Sequence, residues 1–84
     1  MQRFEKEKLK ILGDRIKSLR LKSNLSLNQF VFKYSEITTA TWSRIENGVV
    51  DVKFNTLLKV CESLGIKIDE LLADLDFNYI SDDE

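Results

Sequence analysis

Leu9, Leu12, Ile16 and Leu19 recur at steps of three, four and three residues, the spacing of one face of an α-helix. The pattern predicts a first helix over roughly Phe4 to Lys22, with Lys6, Lys10, Arg15, Lys17, Arg20 and Lys22 on its other faces. Ser23-Asn24 reads as its end. Ser26 followed three residues later by Gln29 has capping-box spacing, so a second helix is expected from about Leu27 to Tyr34, with Leu27, Phe30, Val31 and Tyr34 as its apolar positions. After a short turn at Ser35-Glu36-Ile37, Thr38 can cap a third helix that reaches about Asn47. Ala40, Trp42 and Ile45 are partly inward on that helix, and Gly48 stands where a left-handed residue would close it. Val49 to Lys53 form a connection. Phe54, Leu57, Leu58, Cys61 and Leu64 predict a fourth amphipathic helix closed by Gly65. Asp69 is placed to cap a last helix that begins near Glu70 and contains Leu71, Leu72 and Leu75.

Five helices in 84 residues describe one all-α domain, a compact five-helix bundle over residues 1–76. A tail over 77–84 follows, apolar at Phe77, Tyr79 and Ile80 and then acidic. Proline is absent and glycine occurs only three times, which suits long helices and disfavours a sheet with tight turns.

With no histidine, a zinc finger and histidine-based catalysis are excluded, and the single Cys61 cannot form an internal disulfide. Cys61 lies on the apolar face of the fourth helix and reads as a small buried hydrophobe rather than a sensor thiol. No Gly-rich phosphate loop occurs. Asp82, Asp83 and Glu84 could gather a metal, but a flexible tail does not hold ligand geometry. The expectation is a protein with no cofactor, no bound metal and no enzymatic activity. Met1 to Lys10 is charged rather than apolar, unlike a signal peptide, and no stretch is apolar enough to span a bilayer, so a cytoplasmic location and no membrane partner are expected.

A net charge of −1 argues at first against nucleic acid, but the distribution of that charge argues the other way. Residues 1–53 hold eleven Lys/Arg against six Asp/Glu, and residues 54–84 hold two against eight. A basic half joined to an acidic half can present a positive face to phosphates, although both halves can also be plain solvated surface.

The informative stretch is LSLNQFVFKYSEITTATWSRIENG, Leu25 to Gly48. A short helix, a tight turn and a second helix of similar length describe a helix-turn-helix, with the recognition unit at 26–48. Thr38, Thr39, Ala40, Thr41, Ser43 and Arg44 are residue types that a major-groove helix needs. Short side chains permit close approach, hydroxyls bond phosphates or base edges, and Arg can grip guanine with two hydrogen bonds. Each has a plainer reading beside this one. Arg44 could pair with a neighbouring Glu, Thr38 caps the helix in either case, and Thr39 and Thr41 could be ordinary helix-start residues. Trp42, at helical spacing with Ile45, reads as core rather than as a base-stacking residue.

With its flanks LGDRIKSLRLKSN and TLLKVCESLGIKIDELL, this stretch resembles the Xre/Cro/phage-repressor helix-turn-helix family over roughly residues 12–72. The resemblance rests on fragments in fixed order: LGDRIKSLR, then LS, then SRIENG, then TLLKV, SLGI and DELL. It implies the repressor-like five-helix fold and a homodimer on double-stranded DNA at a partly palindromic operator. By position it implies base contacts from Thr39, Ala40 and Arg44. It further implies backbone contacts from Ser26, Thr38, Thr41, Ser43, Asn47 and Lys53, and an Arg20–Glu46 salt bridge. The chain departs from the family pattern at Leu27, where Gln is common, and at Val31 and Trp42, which are larger than the usual residues. Its turn has Ser35-Glu36 in place of the usual glycine, with one residue more. The added bulk predicts an altered crossing of the two helices.

The apolar tail must cover something, either its own core or a second copy across a two-fold axis. The second is favoured here, with Leu72, Leu75, Phe77, Tyr79 and Ile80 as the expected dimer interface and Leu71 on the same face. Two function classes follow: a dimeric DNA-binding transcription regulator of controller, phage-repressor or antitoxin type, and a helical module whose main role is binding a protein partner.

Overall fold

A computed structural model describes residues 3–77 of the chain, with side chains from residue 6 onward. Five helices make up these residues in the order α1 (Arg3–Leu21), α2 (Leu27–Tyr34), α3 (Thr39–Glu46), α4 (Phe54–Leu64) and α5 (Ile68–Leu72), and no strand occurs among them. α3 packs between α1 and α2, α4 lies against α2 and α5, and α5 returns onto α1.

The local signals act where the sequence places them. Ser26 caps α2 in a reciprocal box: its Oγ accepts from the Gln29 N–H at 3.2 Å, and Gln29 Oε1 accepts from the Ser26 N–H at 3.0 Å. Asn24 takes the left-handed conformation (φ 62°) that turns the chain from α1 into α2. Gly65 closes α4 in the same conformation (φ 71°).

The turn between α2 and α3 manages without glycine because no residue in it has a positive φ. Ser35 is extended (φ −117°, ψ 145°), its N–H donates to the Val31 carbonyl at 3.0 Å, and its Oγ accepts from the Ile37 N–H at 2.8 Å. The additional residue lets Ile37 turn inward, where it is buried with the core.

Ile16, Phe30, Val31, Ile37, Trp42, Ile45, Val60, Cys61 and Leu71 form that core. Trp42 is fully buried, as expected of a core residue, and its ring meets Phe30 at a centroid distance of 5.2 Å. Its indole N–H donates to Glu46 Oε2 at 2.6 Å. Arg20 reaches the same carboxylate from α1, Nε to Oε2 at 2.6 Å and Nη2 to Oε1 at 3.0 Å, with Arg20 6% and Glu46 4% exposed. Donating to the Glu46 carboxylate raises the Arg20 pKa above its ordinary value, despite the opposing effect of burial.

Two glycines let the backbones of α1 and α3 meet. A Cβ on Gly13 would lie 2.4 Å from the Glu46 carbonyl oxygen and 2.5 Å from that of Ile45. Gly48, at φ 69°, closes α3 against the backbone of Lys10, where a Cβ would lie 2.8 Å away.

Three expectations about α4 and α5 need correction. In α4, Phe54 (65% exposed) and Leu58 face outward, and Val60 takes the inward place. Burial selects the Leu57–Val60–Cys61–Leu64 stripe because that is the arc facing α2 and α5. α5 starts at Ile68, not near Glu70, with Lys67 rather than Asp69 in the capping position. The Glu70 carboxylate reaches back to accept from the Lys67 N–H at 2.8 Å, and Asp69 sits in the first turn, where the helix dipole favours an acid. Leu71 is fully buried in the chain's own core and cannot belong to a dimer face.

Glu46→Ala strands the Arg20 guanidinium and the Trp42 N–H in the core. A loss of about 3–5 kcal/mol is expected, read as a lowered urea midpoint at unchanged slope. Gly13→Ala should lose roughly 1–3 kcal/mol in the same measurement, because the obstacle is backbone and cannot swing aside.

Candidate nucleic-acid interface

α3 divides into two faces. Trp42, Ile45 and Glu46 lock one face to α1 and α2. The opposite face leaves Ala40, Arg44 and Asn47 exposed and Thr39, Thr41 and Ser43 half-buried. Ala40 therefore stands outward, at odds with the partly inward place that helical spacing assigned it.

The N-terminal end of α3 is held open and rigid by Thr38. Its Oγ1 accepts from the Thr41 N–H at 3.3 Å and donates to Thr41 Oγ1 at 3.0 Å, so part of the hydroxyl set is engaged in capping. At the other end, Asn47 Nδ2 donates to Ser43 Oγ at 3.4 Å. Arg44 is different. Among the described residues its side chain has no ion pair and no hydrogen bond, so the pairing with a neighbouring Glu is not made. A guanidinium on a rigid helix with its donors free is suited to grip an acceptor pair from outside.

Arg44 and Thr41 border a groove completed by Val50, Asp51, Lys53 and Thr56 from the α3–α4 connection and the start of α4. The fold thus brings Lys53 beside Thr41 and Arg44. Lys53, in the capping position before α4, makes no side-chain cap, which leaves the first-turn N–H groups of α4 uncapped at the rim of this groove. Thr56 and Asp51 were not singled out from the sequence. Only the closeness of the connection to α3 places them here, and no local pattern signals that. Asp51 keeps one carboxylate oxygen on the Val52 N–H at 2.9 Å.

Ser26 is exposed at the start of α2, with its hydroxyl committed to the capping box. Of the residues expected at a dimer interface, Leu72 is exposed, and Leu75 and Phe77 are half-buried. Tyr79 and Ile80 lie outside the described residues. Among the described residues no cluster of three or more metal-binding side chains occurs, and no helix is long and apolar enough to cross a membrane.

A family model, that of the Cro/C1-type HTH DNA-binding domain, matches residues 15–76, most of the chain. No curated protein and no solved structure matches the chain significantly.

Thr38→Ala should cost about 1 kcal/mol of stability by removing the cap of α3, with most of the loss recovered in Thr38→Ser, as read by thermal denaturation. Burial pushes the Cys61 thiol up from its ordinary pKa. At pH 8 it therefore carries less thiolate than a free cysteine, and Ellman's reagent should modify it slowly until denaturant exposes it. Immediate modification of the native protein would place Cys61 at the surface.

Proposed function

The chain belongs to the Cro/C1-type HTH DNA-binding family, and from that premise we propose that it is a sequence-specific transcription regulator that acts as a homodimer on a partly palindromic operator. α3 lies in the major groove, with Thr39, Ala40 and Arg44 toward base edges. Ser26, Thr38, Thr41, Ser43, Asn47 and Lys53 lie along phosphates and fix the register of the helix without reading sequence. It carries out no chemistry of its own.

The observation that carries this reading is Arg44: exposed, unpaired among the described residues, and projected from a helix whose back is bolted to the core. The groove beside it supports the reading, since Arg44, Lys53 and the uncapped start of α4 there outweigh the one carboxylate, Asp51, in offering donors to a phosphate backbone. The dimer is supported by the outward apolar side chains of Phe54, Leu58 and Leu72, large residues that the chain's own core leaves uncovered.

A second reading, binding of a protein partner, draws on Phe32, which is 94% exposed on α2. Titration with bulk DNA at low and high salt separates the two. A regulator binds, with affinity falling steeply as salt rises, whereas an adaptor ignores DNA.

Selection of bound fragments from a random DNA pool tests the proposal directly. Recovery of an inverted repeat is the expected result, and a pool that stays random would remove operator reading. On the recovered site, Arg44→Ala should cost roughly 1–3 kcal/mol and relax discrimination at one base pair. Equal loss on unrelated DNA would reassign Arg44 to phosphate. Lys53→Ala should weaken all sequences alike and flatten the salt dependence by about one phosphate contact.

A further inference from the structure

Asp51 is the one acid lining the groove beside Arg44, and the fold holds it there. Val50 and Val52, on either side of it, pack against the core, while Asp51 is exposed, so the alternation along the connection turns it to solvent. Its Oδ1 accepts from the Val52 N–H at 2.9 Å, which ties the side chain to the neighbouring backbone. Thr41, Lys53 and Thr56 line the same groove. Among the described residues Asp51 forms no ion pair with Arg44 or Lys53. Two unpaired cations and one unpaired anion therefore share one groove without cancelling each other.

Helix capping does not account for the acid. Lys53 holds the capping position of α4, no side chain caps that helix, and no acid stands in its first turn. A carboxylate is an acceptor without donors, and a phosphate offers only acceptors and like charge. On a surface that faces DNA, Asp51 thus opposes any phosphate that enters the groove. Affinity for unrelated DNA comes almost wholly from phosphate. Without the carboxylate, Arg44, Lys53 and the open N–H groups of α4 would form a cationic pocket that draws Arg44 to phosphate on any sequence. With it, the guanidinium finds its best acceptors at a guanine edge.

We propose that Asp51 is a specificity-determining residue: by repelling phosphate from the groove beside Arg44, it weakens binding to unrelated DNA more than binding to the operator. The proposal rests on the operator reading given above. Discrimination is a difference between two affinities, and a penalty on the wrong partner widens it as surely as a contact with the right one.

The test compares the wild type, D51N and D51E by fluorescence anisotropy at several salt concentrations. The probes are a duplex from the selected pool and a duplex of the same composition in shuffled order. D51N keeps an oxygen for the Val52 N–H and removes only the charge. It is expected to bind the shuffled duplex roughly three- to tenfold more tightly, with a salt dependence steeper by about one phosphate contact, and to gain less than about twofold on the selected duplex. D51E keeps the charge and should retain most of the wild-type discrimination. In an R44A background the D51N gain on shuffled DNA should shrink, because the guanidinium it would release is gone.

An unchanged ratio of the two affinities in D51N overturns the proposal and leaves operator reading standing, whether both duplexes gain equally or neither changes. A lowered thermal midpoint at an unchanged ratio does the same, by making Asp51 a support for the start of α4. Weaker binding of D51N to the selected duplex alone overturns it by turning Asp51 into a reader of a base amine. A full D51N gain in the R44A background overturns the role given to Arg44. A wild type that selects no sequence, or binds no DNA, overturns the operator reading and this proposal with it.

Discussion

The buried carboxylate of Glu46 is the point on which the domain turns. It accepts two hydrogen bonds from Arg20 and one from Trp42, and so ties α1 to the last turn of α3 through a buried charge. Two ions in a core are tolerated only when their polar atoms are satisfied, and no buried side-chain nitrogen or oxygen among the described residues lacks a partner. Gly13 makes the arrangement possible, because only a residue without a Cβ lets α1 approach the Glu46 backbone so closely. The ion pair, the indole and the glycine are one device, and its effect is to fix the angle at which α3 leaves the core.

That rigidity gives meaning to the polar face of α3. Arg44 is a long side chain on a surface helix, a common and often uninformative feature. What sets it apart is that the opposite face of the same helix is buried in the core and that Arg44 has no internal partner among the described residues. Preorganised donors lose less freedom on binding than mobile ones do, so a fixed helix reads base edges better than a frayed one. Thr38 serves the same end by capping the first turn, even where its hydroxyl is thereby engaged.

The far side of the domain follows similar logic with weaker means. α5 is too short to stand alone and is held by Leu71 from within and Arg15 from its end. Apolar residues that the core does not use remain on this side and on α4, at Leu72, Leu58 and Phe54. In a chain this small, surface left over from one core is available to a second copy.

The helices themselves were legible in the sequence. Periodicity located all five, and short-range chemistry located the ends of most: the box at Ser26 and Gln29, the cap at Thr38, and the left-handed closures at Gly48 and Gly65. The order of the motifs revealed the family, and the Arg20–Glu46 pair followed from it. These features depend on residues a turn or so apart, or on a pattern shared by a family, and one chain read in order contains both. Tertiary structure decided the rest. It turned Phe54 and Leu58 outward, drew Leu71 inward, joined the Trp42 indole to Glu46, set Arg15 on α5, and brought Asp51 and Thr56 beside Arg44. Each of these depends on which arc of a helix meets a neighbour distant in sequence. Hydrophobic spacing gives the existence of an apolar face, but the width and bearing of that face are set only when the helices close on one another.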